Sequence, residues 1–205
     1  MAQGEAGAAA EAALVRDRRK DAMKIEPLAL ADVKLVIPAR HADVRGYLEE
    51  TWAEERFRAA GLDVRFVQDN HSFSAAAGTV RGLHFQSPPH AQAKLVFVPA
   101  GAIFDVVVDL RRRSTAFGRT VSTLLSAANG HQLFVPKGFA HGFATLEPQT
   151  HVIYKVSAAY APAHERGLYW RDPDLGIDWP VSESEAVLSD KDKALPRLAG
   201  LADHF

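Results

Sequence analysis

The chain of 205 residues contains no cysteine. Disulfides, thiolate zinc sites, iron–sulfur clusters and thiol nucleophiles are excluded with it. It also lacks a surplus of either charge, since 24 Lys and Arg face 25 Asp and Glu, a formal net charge of -1. The broad basic footprint of a nucleic-acid binder is therefore missing, although a small anionic ligand remains possible. No apolar run approaches the ~18 residues of a membrane span. What is present is ordinary: hydrophobic residues make up 47% and charged residues 24% of the chain, which sets it apart from disordered sequences. A globule of this length buries roughly 70% of the surface of its unfolded chain and needs no covalent staple. The expectation is a soluble, cytoplasmic protein with neither a nucleic-acid nor a membrane partner.

Residues 1–24 are rich in Ala, Glu and Arg and contain no aromatic residue. Glu11 interrupts their apolar part and no basic leader precedes it, so they do not read as a signal peptide. They are expected to form a poorly ordered appendage to a single domain over 25–205. From Ile25 the texture changes to short apolar runs separated by turn residues. Strands are predicted at Val33–Ile37, Val64–Val67, Thr79–Phe85, Lys94–Val98, Ile103–Leu110, Thr120–Leu125, Gln132–Val135, Gly142–Leu146 and Val152–Val156. Thr51-Trp-Ala-Glu54 has capping-box spacing for one short helix that Gly61 would close. Strand–helix alternation is absent, so the pattern predicts an all-β antiparallel sandwich or barrel. In the polar tail, Asp172, Asp174 and Gly176 superficially resemble a calcium loop, but the glycine is misplaced and Pro173 interrupts it. A surface-hugging loop is expected there.

Arg81-Gly-Leu-His84 places a cation and a histidine on one predicted strand. Strict alternation sends them to opposite faces, whereas a bulge at Gly82 would return both to one side. Taken alone, a strand histidine is more often structural than catalytic, and the same holds for His141. Asp69 and Asn70, just before His71, fit plain turn chemistry as well as ligand binding. The nine histidines include no His-x-His pair, which argues against a metal-binding barrel and predicts no metal site.

The ordered set of motifs is more specific than any member of it. Val67-Gln-Asp-Asn-His-Ser72, Arg81-Gly-Leu-His-Phe-Gln86, Lys94-Leu-Val96, Phe104-Asp-Val-Val-Val-Asp-Leu110, Pro136-Lys-Gly-Phe-Ala-His-Gly-Phe143, Tyr154-Lys155, Glu165-Arg-Gly167 and Leu188-Ser-Asp-Lys-Asp192 occur in this order. Together they resemble the dTDP-4-dehydrorhamnose 3,5-epimerase family over roughly Ile25 to Pro196. The resemblance implies a cupin-like jelly roll, a double-stranded antiparallel β-helix with a few short helices. It implies a homodimer, no cofactor, and inversion at C3 and C5 of a dTDP-linked 4-keto-6-deoxyhexose, on the way to dTDP-L-rhamnose. An enolate intermediate calls for a base, an acid on the opposite face and a cation at the oxygen. That chemistry needs no nicotinamide, in keeping with the missing glycine-rich nucleotide loop.

Carried over by motif, His84 resembles the base, Asp192 the carboxylate that orients it, Tyr154 the acid and Lys94 the cation beside the oxyanion. Arg45, Glu50, Gln68, Asp69, Asn70, Arg81, His141, Glu165 and Lys191 match positions that bind the nucleotide sugar, and Tyr160 matches the aromatic that stacks on thymine. Val44 and Leu48 near Arg45, and Ala100 and Ala102 around Gly101, depart from the usual pattern. Three alternatives stay open: inversion at only C3 or C5 of a related deoxysugar, a metal-dependent cupin enzyme, and a non-catalytic sugar-binding barrel.

Overall fold

A strand with one wet face alternates apolar and polar residues. Strand β8 (Ala102–Asp109), reading Ala-Ile-Phe-Asp-Val-Val-Val-Asp, breaks that rule because all its residues but Phe104 are buried. It must be covered on both faces. The computed structural model, which describes residues 22–202 and 205, shows what covers it. All but the last three residues of the expected 1–24 appendage lie outside the described residues.

Two antiparallel sheets face each other. One has the strand order β1 (Lys24–Pro27), β2 (Lys34–Ile37), β10 (Gln132–Val135), β7 (Lys94–Ala100), β12 (Thr150–Val156) and β5 (Gln68–Ser74). The other runs β13 (Glu165–Gly167), β6 (Val80–Gln86), β11 (Phe139–Thr145), β8 and β9 (Thr120–Ser126). From β5 to β8 successive strands alternate between the sheets, and they do so again from β9 to β13. This is the all-β jelly-roll arrangement expected from the sequence.

Between the sheets, Val96, Val98, Leu133, Val135 and Val152 of the first meet Ile103, Val107, Leu125, Phe139 and Phe143 of the second. Behind the second sheet the C-terminal tail adds Leu168, Leu175 and Leu201 to Leu83, Val106 and Val108, so the tail covers that face and closes over β8. Behind the first sheet, Phe57 and Leu62 pack on Val36, Leu95 and Phe134. Full burial of Phe57 alone contributes roughly 1.5–3 kcal/mol.

Several elements differ from expectation, each for a local reason. Helix α1 (Glu54–Ala59) begins three residues after Thr51; its N-cap is Ala53, without a side-chain cap bond, so Thr51 does not cap it. Its end is as expected, since Gly61 adopts φ +91 and its N–H donates to the Arg58 carbonyl. Residues 64–67 are not a strand. Val64 and Phe66 pack on the cluster around Phe57, and the strand is instead the polar Gln68–Ser74 segment that follows. As an edge strand with one face in solvent and the other on a cleft, β5 has no apolar row for the sequence to display. A hairpin of β3 (Arg40–Asp43) and β4 (Gly46–Glu49) is missed for the same reason, as both strands are largely exposed. In the tail, the Asp172 carboxylate accepts from the Asp174 and Leu198 N–H groups, which makes it a loop tie.

Candidate active site

The bulge at Gly82 builds the site. Across β6 and β11, Arg81 pairs with Phe143 and His84 with His141, so β6 spends one residue more than its partner. The extra residue sends Arg81 and His84 to the same cleft, as the sequence suggested. Only glycine fits here: Gly82 has φ +121, and a Cβ on it would lie 2.6 Å from the Gly142 Cα. The opposing Gly142 is equally tight, with a Cβ meeting the Arg81 carbonyl at 2.7 Å.

The cleft opens between the two sheets and encloses about 700 Å³. On one wall, the His84 Nε2–H donates to Asp192 Oδ1 at 2.6 Å. Asp192 lies on α2 (Asp190–Lys193), a single turn capped by the Ser189 hydroxyl, which accepts from the Asp192 N–H at 3.1 Å. Burial by itself raises the Asp192 pKa, but hydrogen bonds from His84, Ser189 and the Gly82 N–H overcome it and hold the carboxyl below its ordinary value. The bulge therefore aims the imidazole and helps ionise its partner.

On the facing wall stand Lys94 of β7 and Tyr154 of β12. Lys94 is 8% exposed and its Nζ donates to the His84 carbonyl at 3.2 Å. Burial pushes its pKa down to about 8, against the attraction of Asp105 and Glu165. Burial also raises the Tyr154 phenol, with Glu165 adding to the rise and Arg81 opposing it. Its proton is thus firmly held at neutral pH.

The remaining expected residues divide. Gln68 and Asn70 face the cleft from β5, where Gln68 Nε2 donates a hydrogen bond to Asn70 Oδ1 at 2.8 Å. Arg81 is held at the rim by Ser74 Oγ at 3.1 Å and the Phe73 carbonyl at 2.8 Å. Tyr160 donates to Glu165 Oε2 at 2.7 Å, and the same oxygen pairs with Lys191 at 2.5 Å. Burial raises the Glu165 pKa by itself, yet the bonds from Lys191 and Tyr160 bring it below its ordinary value. His141 donates from Nε2 to Asp105 Oδ2 at 2.9 Å.

Three others are not brought together here. Asp69 lies between Gln68 and Asn70, so strand alternation turns it to the opposite face, where Lys155 binds it at 2.9 Å. Arg45 sits in the tight turn of the β3–β4 hairpin, bound to Asp43, and Glu50 pairs with Arg56 at 3.3 Å. Neither lines this cleft.

Two residues were missed by sequence reasoning. Ser189 was visible as a helix N-cap signal before Asp192. Asp105 left no comparable signal, being a lone carboxylate in the valine-rich strand β8. Among the described residues, no group of three or more His, Asp or Glu is arranged to hold a metal ion.

A histidine on one sheet paired with a helix carboxylate, facing a phenol and an ammonium on the other sheet, can remove a proton from one face of a bound molecule and return one to the opposite face. Comparison with known proteins points to one family. The profile of one family, described as dTDP-4-dehydrorhamnose 3,5-epimerase, matches residues 27–200. A dTDP-4-dehydrorhamnose 3,5-epimerase of Sinorhizobium fredii is 51% identical over 185 residues, 90% of this chain and 94% of that one. The crystal structure of a dTDP-4-dehydrorhamnose 3,5-epimerase from Bacillus anthracis, with TDP and PPi bound, superposes with a TM-score of 0.84 at 49% identity, covering 86% of this chain and 100% of that one. A dTDP-6-deoxy-D-glucose-3,5-epimerase from Legionella pneumophila, in complex with dTDP-4-keto-L-rhamnose, gives 0.83 at 41% identity over 87% of this chain and 94% of that one.

Proposed function

The chain belongs to the dTDP-4-dehydrorhamnose 3,5-epimerase family, and from that premise we propose how its cleft inverts C3 and C5 of a dTDP-linked 4-keto-6-deoxyhexose. The protein is an isomerase. The observation that carries the reading is the placement of His84 with Asp192 on one wall and Tyr154 on the other.

With Nε2–H engaged by Asp192, the neutral imidazole keeps the Nδ1 lone pair as its basic site. It takes the proton next to the ketone, and the electron pair moves into an enolate whose charge rests on the C4 oxygen. The Lys94 ammonium, poorly hydrated in its buried position, stabilises that oxygen. The Tyr154 phenol then protonates the carbon from the other side. The imidazolium returns its proton to solvent and the phenolate recovers one, so atoms and charge balance without an electron carrier. Asp192 favours the transient imidazolium and fixes the ring. Arg81 and Lys191 supply positive charge for the diphosphate, and Tyr160, half exposed at the rim, offers a face for the thymine ring.

The same proposal includes a homodimer in the cytoplasm. The β3–β4 hairpin carries Arg45 and Glu50 away from this chain's cleft and exposes Val44, Tyr47 and Leu48, an apolar surface suited to a second copy. Contact through that hairpin would let Arg45 serve the neighbouring cleft.

The function is tested by incubating the protein with dTDP-4-keto-6-deoxy-D-glucose in heavy water and reading the sugar by NMR. Inversion with deuterium at both C3 and C5 is expected. Inversion confined to one carbon would instead identify a single-site epimerase, and no exchange at either carbon would contradict the reading.

A further inference from the structure

Asp105 lies behind the cleft and does not line it. On β8 its inward neighbours Ile103 and Val107 belong to the aliphatic core between the sheets. Asp105 itself is 0% exposed. Oδ2 accepts from His141 Nε2 at 2.9 Å, while Oδ1 is buried without a hydrogen-bond partner. A carboxylate in such a place costs folding energy unless its charge is used. Lys94, buried on the opposite sheet, is the cation on which it acts.

We propose that Asp105 is a positioning residue for the epimerisation, holding the His141 ring in place and keeping the Lys94 ammonium charged from beneath the cleft. The proposal rests on the epimerase reading, because the charge on Lys94 matters only if an enolate forms above it. Burial drives Lys94 down to about 8, and Asp105 is the strongest influence working against that fall, ahead of Glu165. Glu165 is already bound by Lys191 and Tyr160, whereas Asp105 has only His141. The relation is mutual, since burial raises Asp105 and both His141 and Lys94 oppose the rise. Around Lys94 the other charged or titratable groups lining the cleft are His84 and Arg81 on β6, His141 on β11, Tyr154 on β12, Tyr160 at the rim, Glu165 on β13, and Lys191 and Asp192 on α2. Asp105 acts on it from the buried interior and not from the cleft lining.

The test is the pH profile of kcat for wild type, Asp105→Asn and Asp105→Glu. Wild type should lose activity as pH rises through about 8, where Lys94 gives up its proton. In Asp105→Asn that limb should move down by about one unit or more, so that the loss relative to wild type is several-fold greater at pH 8 than at pH 6. Asp105→Glu, which restores the charge, should bring the limb back toward wild type. Equal loss at every pH in Asp105→Asn would assign Asp105 to packing alone and overturn the proposal. Should Asp105→Asn fail to fold, NMR of the wild-type protein decides the point. The Asp105 carboxyl carbon and the Lys94 amine nitrogen should share an inflection near the same pH, and a flat Asp105 signal there contradicts the coupling. This second arm needs no turnover, so it separates failure of the coupling from failure of the epimerase reading.

Discussion

His84 Nε2 and Asp192 Oδ1 stand 2.6 Å apart although 108 residues separate them in the chain. The Gly82 bulge and the Ser189 cap bring them together, one by aiming the ring and the other by fixing the turn that carries the carboxylate. Asp192→Asn keeps the shape of the pair and removes its charge. A fall in kcat of about 10²-fold or more is expected, with KM little changed, because the imidazolium loses its counter-charge. Unaltered kcat would assign Asp192 to folding alone.

The same pair makes a prediction about acid stability. Asp192 is held below its unfolded value of 3.8, so the unfolded chain binds more protons in the acidic range. Its stabilisation is therefore complete above that value and is lost as pH falls through the folded pKa. Urea midpoints of Asp192→Asn and wild type should differ most near neutrality and converge at strongly acidic pH. A constant difference would contradict the assignment.

Lys94 has the opposite sign. Its pKa is lowered on folding, from 10.5 to about 8, so the unfolded state holds the proton more tightly. The charge thus costs stability below about 8, a cost that fades as pH rises toward 10.5. Lys94→Met should raise the unfolding free energy from urea titration at pH 7 by at most on the order of 3 kcal/mol. Turnover should collapse with it. A more stable but inactive variant marks a residue kept for chemistry; a less stable one would show that Lys94 holds the fold together.

Arg45 offers a test of the dimer. If it serves the partner's cleft, Arg45→Ala and His84→Asn damage different halves of each site. Mixed and refolded together, two weakly active variants should recover about a quarter of wild-type activity, since half the dimers then contain one intact site of two. No recovery would return Arg45 to its own chain.

How much of this was legible in the sequence follows from where each residue sits. Strands of the two-sheet core such as β7 and β8 announce themselves through apolar runs because both faces are largely covered, whereas β12 shows itself by alternation, with Val152 and Val156 inward. The Gly82 bulge was legible because Arg81 and His84 are an odd number of residues apart yet would be needed on one face. Strand β5 was obscured, since its polar residues face solvent and the cleft. Asp105 was overlooked because a lone carboxylate in a valine-rich strand offers no spacing signal, and only its burial and its bond to His141 give it meaning. The pairing of His84 with Asp192 came from family resemblance, as no local pattern links residues so far apart. Arg45 and Glu50 show the complementary limit: motif matching assigns them to a sugar site, yet neither lines the cleft of its own chain.

The central claim is that His84 is the base for both carbons, and the most direct measurement of it is solvent exchange in His84→Asn. The substituted amide keeps some hydrogen bonding but takes no proton at neutral pH. With dTDP-4-keto-6-deoxy-D-glucose in heavy water, NMR should show deuterium entering C3 and C5 at least about 10²–10⁴-fold more slowly than in wild type. Tyr154→Phe, which retains the base, should still exchange while yielding mostly uninverted sugar. Exchange at the wild-type rate at either carbon in His84→Asn would show that another group removes that proton, and would contradict the account.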